Sequence, residues 1–183
     1  HAAAAASEGE EEAGAELPFG RLGNTLLANL VAGAGFALLL GGVALLLGQR
    51  ITPQNGIFWG GAGFFAVAFL PALGLSPELP AMPAADLAQR QLWWVLTVVL
   101  SGVGIYLLVL RGEIISKILG LVLIVAPHLY GAPHPEDIAS PIPSLLASQY
   151  AVASLATNLF MWAVIGLALG WFIQAYAKSD IEG

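Results

Sequence analysis

The chain has 183 residues, of which 58% are hydrophobic and only 10% charged, and its mean hydropathy is +0.82. Soluble domains carry about 25% charged residues, so this composition excludes an ordinary soluble fold and indicates an integral membrane protein. There is no cysteine, which excludes disulfides and thiolate metal sites and leaves imidazole, carboxylate, carbonyl and water as metal donors. The net charge of −6 comes mostly from Glu8, Glu10, Glu11, Glu12 and Glu16, and the basic footprint of a nucleic-acid binder is absent.

Residues 1–20 are acidic and of low complexity, the composition of a solvated tail or linker. The first apolar run, 25–48, is uncharged, flanked by Arg21 and Arg50, and long enough to cross a hydrocarbon core of about 30 Å. The second run, 56–75, opens with Gly56 and Gly60, four apart, which suits close helix packing; Pro71 is expected to kink or end it. Next comes GLSPELPAMPAADLAQRQLWW over 74–94, where Pro77, Pro80 and Pro83 recur with the period of a polyproline II segment. The spacing predicts a stiff, extended connector over 76–83.

A third helix follows over 84–110, with its membrane span at 90–110 and Trp93 and Trp94 as aromatic-belt residues. A tight connector at 111–113 leads to a short fourth span, 114–130, where Lys117 can snorkel to the interface. The segment 131–143, GAPHPEDIASPIP, is a proline-rich loop without a regular element. The last helix runs over 144–177, with its span at 148–176, a small-xxx-small pair at Gly166 and Gly170, and a short tail at 179–183. The expected fold is thus an all-α integral membrane protein, a bundle of about five transmembrane helices filling 21–178.

Alternating five spans puts Arg50, Arg111, Lys117 and Lys178 on one side and Arg21 and Arg90 on the other. The richer side is cytoplasmic by the positive-inside rule. The C-terminus is then cytoplasmic, and the loops 76–90 and 131–143 share the extracytoplasmic face of the cell's inner membrane.

That shared face gathers the candidate ligands. His128 and His134 lie six apart around prolines that can fold both imidazoles onto one centre, with Glu136 and Asp137 beside them. Imidazole and carboxylate donors suit divalent cobalt, nickel or zinc. The plainer alternative is that His128 bonds a backbone carbonyl at a helix end and His134 is solvated. Glu78 and Asp86 can add carboxylates from the opposite loop; alternatively, Asp86 and Arg90 form an i,i+4 ion pair. Gln149 and Asn158 fall near one face of the last helix, as pathway residues or as interhelical contacts. A phosphate-binding loop, a defensible Ser/His/Asp order and an HExxH motif are all missing, so the chain reads as neither an enzyme nor an ATPase.

The strings WGGAGFFAVAFLPALGLSPELP, AADLAQRQLWWVLT, APHLYGAPHP and SLATNLFMW, in this order, resemble the CbtA family of predicted cobalt transporter subunits. The resemblance covers about 24–170, and Glu78, Asp86, Arg90, His128 and His134 fall within its motifs. It implies a membrane subunit for cobalt(II) uptake, with the ion as cargo rather than bound cofactor and a small His-bearing membrane protein, CbtB-like, as partner. It also implies a further N-terminal helix joined by a linker that is often His-rich. This chain then starts in that linker, where His1 is the single histidine. An accessory structural subunit of a larger membrane complex, with His128 ligating a pigment, is the alternative.

Overall fold

The computed structural model describes residues 19–182, with side chains through 176. The acidic tail expected over 1–20 therefore lies, up to residue 18, outside the described residues. The rest is all helix and loop: α1 (Gly20–Leu46), α2 (Gly56–Ala72), α3 (Leu87–Leu110), α4 (Ile114–Tyr130) and α5 (Ser144–Glu182). The expected runs are all present, with shifted ends. The first helix begins five residues before the expected 25 and ends at Leu46, where a turn at Leu47 and Gly48 stops it. Three helices, Gly20–Leu46, Leu87–Leu110 and Ser144–Tyr176, are long and apolar enough to cross a membrane; α2 and α4 are shorter.

The chain divides into two compact units, 1–39 and 40–183. In the first, α1 opens with local bonds: Asn24 donates to the Gly20 carbonyl and Thr25 to that of Arg21. The second unit is built from two antiparallel helix pairs. The two are alike in construction, because glycines let backbone meet backbone at each crossing.

The α3–α4 pair is closed by the three residues 111–113. A Cβ on Gly104 would stand 2.7 Å from the Gly120 carbonyl oxygen, and a Cβ on Gly120 would stand 2.7 Å from that of Gly104. The α2–α5 pair meets where Gly56 and Gly60 face Gly166, with Trp162 laid over Gly60 and Gly63. Of the second small-xxx-small pair, Gly166 packs against Gly56 and Gly60, while Gly170 meets the backbone of Thr52 and Pro53 just ahead of α2. The turn that leads into α2 is fixed by a reciprocal exchange. Thr52 donates its N–H to Asn55 Oδ1 at 2.7 Å, and Asn55 donates its N–H to Thr52 Oγ1 at 3.3 Å. Pro53, between them, needs no donor there, so the pair closes a turn like a capping box from Thr52, three residues ahead, to Asn55, the N-cap of α2.

α2 ends one residue past Pro71, at Ala72, in keeping with a proline expected to kink or end it. The helix passes through the proline because the preceding residues, Phe65–Phe69, form a π-helical turn. Leu70 donates to the Phe65 carbonyl, five residues back. Widening the turn eases the clash between a proline ring and the carbonyl four residues earlier. Pro71 itself is buried.

Polarity is distributed as a membrane requires. Leu92, Val95, Leu96, Val99 and Val103 of α3 are exposed, whereas Thr97 and Ser101 on the same helix are 0% exposed. On α4, Ile115, Ile118, Leu119 and Val122 face outward while Gly120 and Pro127 are buried. A water-soluble bundle would invert that arrangement.

Candidate functional site

Three of the four motif strings meet at one end of the α3–α4 pair, and Trp93 is where they touch. A Cβ on Gly74 would lie 2.5 Å from the Trp93 ring and 3.0 Å from the Ala132 Cβ. Gly74 opens the GLSPELP string, Trp93 belongs to RQLWW, and Ala132 to PHLYGAP. Trp93 is only 5% exposed. Its Nε1–H donates to the Pro127 carbonyl at 3.3 Å, and its ring meets the His128 imidazole edge-on with centroids 5.8 Å apart. The sequence placed both tryptophans in an interfacial belt. Only Trp94 is exposed; Trp93 is the packed hub, because the face it shares with Thr97, Ser101 and Gly104 turns inward.

The connector that carries Glu78 is folded rather than extended. Met82 donates its N–H to the Leu79 carbonyl at 3.2 Å, closing a turn with Pro80 second and Ala81 third. Ala81 has φ +69°, the left-handed value that the third position of a type II turn requires. Proline in the second position presets that turn, and turn formation outweighs the polyproline period predicted over 76–83. The Leu79 N–H also reaches the Met82 sulfur at 3.2 Å.

The turn brings Glu78 back to α3, where Arg90 donates to its Oε2 at 2.8 Å. Both side chains are about one quarter exposed, at 28% for Arg90 and 25% for Glu78. This corrects the i,i+4 pairing expected for Asp86 and Arg90. Asp86 is instead the cap of α3: its Oδ1 accepts from the Gln89 N–H at 3.0 Å. A carboxylate at the helix N-terminus satisfies a free donor and opposes the positive end of the dipole, a role an ion pair would interrupt.

His128 sits in the last turn of α4, beneath this assembly. Its Nε2 is buried and has no hydrogen-bond partner. Pro127 explains the local geometry: it has no N–H to offer, yet its carbonyl accepts twice, from Trp93 and from the Gly131 N–H at 3.1 Å. Gly131, at φ +95°, then ends the helix and releases the loop.

The remaining candidates lie further out. His134, Glu136 and Asp137 are exposed in the loop 131–143, where Asp137 accepts from the Ala139 N–H at 2.8 Å. Gln149 is exposed, and Asn158 donates within its own helix to the Ser154 carbonyl at 3.0 Å. Among the described residues no three His, Asp or Glu side chains are grouped to hold a metal ion. This end of the α3–α4 pair thus holds the unpartnered His128 Nε2, the Glu78 carboxylate held by arginine and the Asp86 carboxylate engaged as a helix cap.

Sequence reasoning passed over Thr97 and Ser101. Both are fully buried in α3. Thr97 Oγ1 donates to the Trp93 carbonyl at 2.8 Å, while Ser101 Oγ has no partner. The available signal was their spacing: 93, 97, 101 and 104 form one stripe at helical period, and a hydroxyl is the exception on an otherwise apolar helix.

A family model described as "Probable cobalt transporter subunit (CbtA)" matches residues 1–174. No curated protein and no solved structure matches the chain. The matched residues include the Gly74, Glu78, Arg90, Trp93, Pro127 and His128 that build this end of the bundle, and the chain belongs to the CbtA family of probable cobalt transporter subunits.

Proposed function

We propose that the chain is the membrane-embedded subunit through which cobalt(II) enters the cell, captured at the end of the bundle where Glu78, Arg90, Trp93 and His128 converge. The observation that carries this is the convergence itself: two loops and two helix ends, each bearing a family motif, close around Trp93 and leave the His128 Nε2 buried without a partner. A neutral imidazole nitrogen is a ready ligand for cobalt. Glu78 joins it when Arg90 releases the carboxylate, with His134 and Asp86 in the flanking loops as outer donors. Gln149 and Asn158 then lie on the way past α5. The chain carries no ATP-binding motif, so the driving force comes from the membrane potential, an ion gradient or a partner, a role that fits a small His-bearing membrane protein.

All five helices cross the bilayer in this proposal, with the loops 76–90 and 131–143 extracytoplasmic and the C-terminus cytoplasmic. The antiparallel α2–α5 and α3–α4 pairs agree with alternating spans, and the positive side chains favour this orientation.

The test is uptake of radioactive cobalt by cells expressing the full chain together with its small partner. Loss of a residue that supports a metal site, even from its outer shell, costs roughly 10–100-fold in affinity or activity. His128→Ala and Glu78→Gln are each expected to reduce uptake by about that factor, with the protein still in the membrane. Unchanged uptake in a His128→Ala, His134→Ala double variant would remove the histidines from the site. Recovery of the chain in fixed stoichiometry within a larger complex, without cobalt transport, would favour the accessory-subunit alternative.

A further inference from the structure

From Leu26 to Leu46 every residue of α1 is apolar or glycine except Asn29. The helix has 27 residues and is apolar enough to cross a membrane. At 1.5 Å per residue it is about 40 Å long, so a helix centred in a hydrocarbon core of about 30 Å holds Asn29 roughly 6 Å from the midplane. The Asn29 side chain is exposed at that depth and has no hydrogen-bond partner among the described residues. The polar side chains just before it bond their own backbone, Asn24 to the Gly20 carbonyl and Thr25 to that of Arg21. Asn158 of α5 does the same with the Ser154 carbonyl. Asn29 makes no such bond, and hydrocarbon offers a carboxamide neither donor nor acceptor. One turn on and on the same face, a Cβ on Gly33 would meet nothing within 4 Å. A second helix can therefore approach closely beside the amide.

We infer that Asn29 pairs α1 with α1 of a second copy of this chain, the two carboxamides bonding to each other within the membrane. Identical chains insert in one orientation, set by their own positive residues. Two copies therefore pair about an axis normal to the bilayer, and their α1 helices run parallel. Asn29 then meets Asn29, and Gly33 meets Gly33, at equal depth. A carboxamide is its own complement, since each N–H can donate to the other's Oδ1. Any other occupant must bring a polar group to the same depth, whereas a second copy carries one there by construction. Asparagine pairs of this kind fix register and partner number in paired helices. Leu40 and Ala44, further along α1, are already buried, so the contact belongs to the N-terminal half of the helix. The inference goes beyond the transport proposal and does not depend on it, because none of the candidate cobalt ligands lies on α1.

The absence of cysteine makes a direct test available. Ala32 lies about 60° from Asn29 around the helix and Ala34 about 140°. The full chain carrying Ala32→Cys or Ala34→Cys is treated in its membrane with copper phenanthroline, which oxidises two apposed thiols to a disulfide. Ala32→Cys is expected to give a covalent dimer about tenfold faster than Ala34→Cys. Adding Asn29→Leu to Ala32→Cys is expected to slow that reaction roughly tenfold, the scale of one interhelical amide contact in a membrane. Equal rates at the two positions overturn the pairing, as does a rate that Asn29→Leu leaves unchanged. An adduct with a different protein in place of the dimer also overturns it, since another occupant then covers Asn29. If the cysteine variants fail to fold, chains labelled with donor and acceptor dyes at the C-terminus are diluted with lipid in proteoliposomes. The Asn29→Leu chain should lose energy transfer at about tenfold less dilution than the wild type, and matching curves overturn the pairing. Cobalt transport is scored separately: a dimer that moves no cobalt defeats only the transporter, and a monomer that moves it defeats only the pairing.

Discussion

Arg90 holds Glu78 from a distance of twelve residues, and that contact joins the packing of Gly74 on Trp93 in tying the GLSPELP connector to α3. Both groups are partly exposed, so the pair contributes about 0.5–1 kcal/mol. Arg90→Gln is expected to lower the melting temperature slightly and to free the Glu78 carboxylate, tightening cobalt binding measured by calorimetry. Weaker binding in that variant would mean that the pair shapes the site rather than competing for it. Ala81 offers a cleaner test of the turn. A left-handed alanine costs roughly 1–2 kcal/mol, while glycine costs about 0.5–1 kcal/mol in added chain entropy. Ala81→Gly should therefore raise stability by several tenths of a kcal/mol or more, read as a higher midpoint in a thermal unfolding series. At the opposite end of α3, Glu113 is held below the ordinary glutamate range, first by a backbone N–H of its own residue, then by Arg111. A lowered folded-state value means the contribution is present above the unfolded pKa and lost as pH falls through the folded one. The group is fully exposed, so the expected effect is small. A Glu113→Gln variant should match the wild type in acid and fall slightly behind it at neutral pH.

Among the elements, the glycine crossings carry the most demanding geometry. Gly104→Ala would place its new methyl 2.6 Å from the Ile124 side chain and 2.7 Å from the Gly120 carbonyl oxygen. Backbone cannot yield as a flexible side chain does, so the helices must separate. Overpacking of this kind costs about 1–3 kcal/mol. The expected outcome is a lower melting temperature and faster proteolysis in the 111–113 connector, whereas Gly102→Ala, with open space around it in mid-helix, should cause neither and should raise stability slightly. The helices themselves were legible in the sequence, since long apolar runs between charged connectors leave little else to form. The Gly56–Gly60 and Gly166–Gly170 spacings also anticipated one crossing. Less visible was the state of Pro71, because a π turn has no composition of its own. The partner of Arg90 was hidden for a similar reason. Asp86 is four residues away and Glu78 twelve, but a turn that folds the connector and a helix end that claims Asp86 reverse that preference. Trp93 shows the same limit: its type fits a membrane belt, and only the inward stripe of α3 settles its burial.

At the scale of the whole molecule, the open question is how many times the chain crosses the bilayer. Three helices qualify by length and composition. If only those crossed, residues 49 and 76 would share one side, and residues 112 and 139 the other. The five-span proposal rests instead on a packing observation. Gly74 and Ala132 come together over Trp93, so the loops that follow α2 and α4 lie at the same end of the bundle. With three spans, those loops would be separated by α3 and would face opposite sides. Five spans place them together, and a helix of 17 residues such as α4 is about 26 Å long, only slightly short of a hydrocarbon core of about 30 Å. A modest thinning of the bilayer covers the difference. The distinction can be read with single cysteines on the cysteine-free background, since Gln49, Ser76, Gly112 and Ala139 are all exposed. In intact cells, an impermeant thiol reagent is expected to label Ser76→Cys and Ala139→Cys. Gln49→Cys and Gly112→Cys should react only after the membrane is opened. Labelling that pairs 76 with 49 would establish three spans and would also break the proposed cation site, because Glu78 and the loop after His128 would then face different compartments.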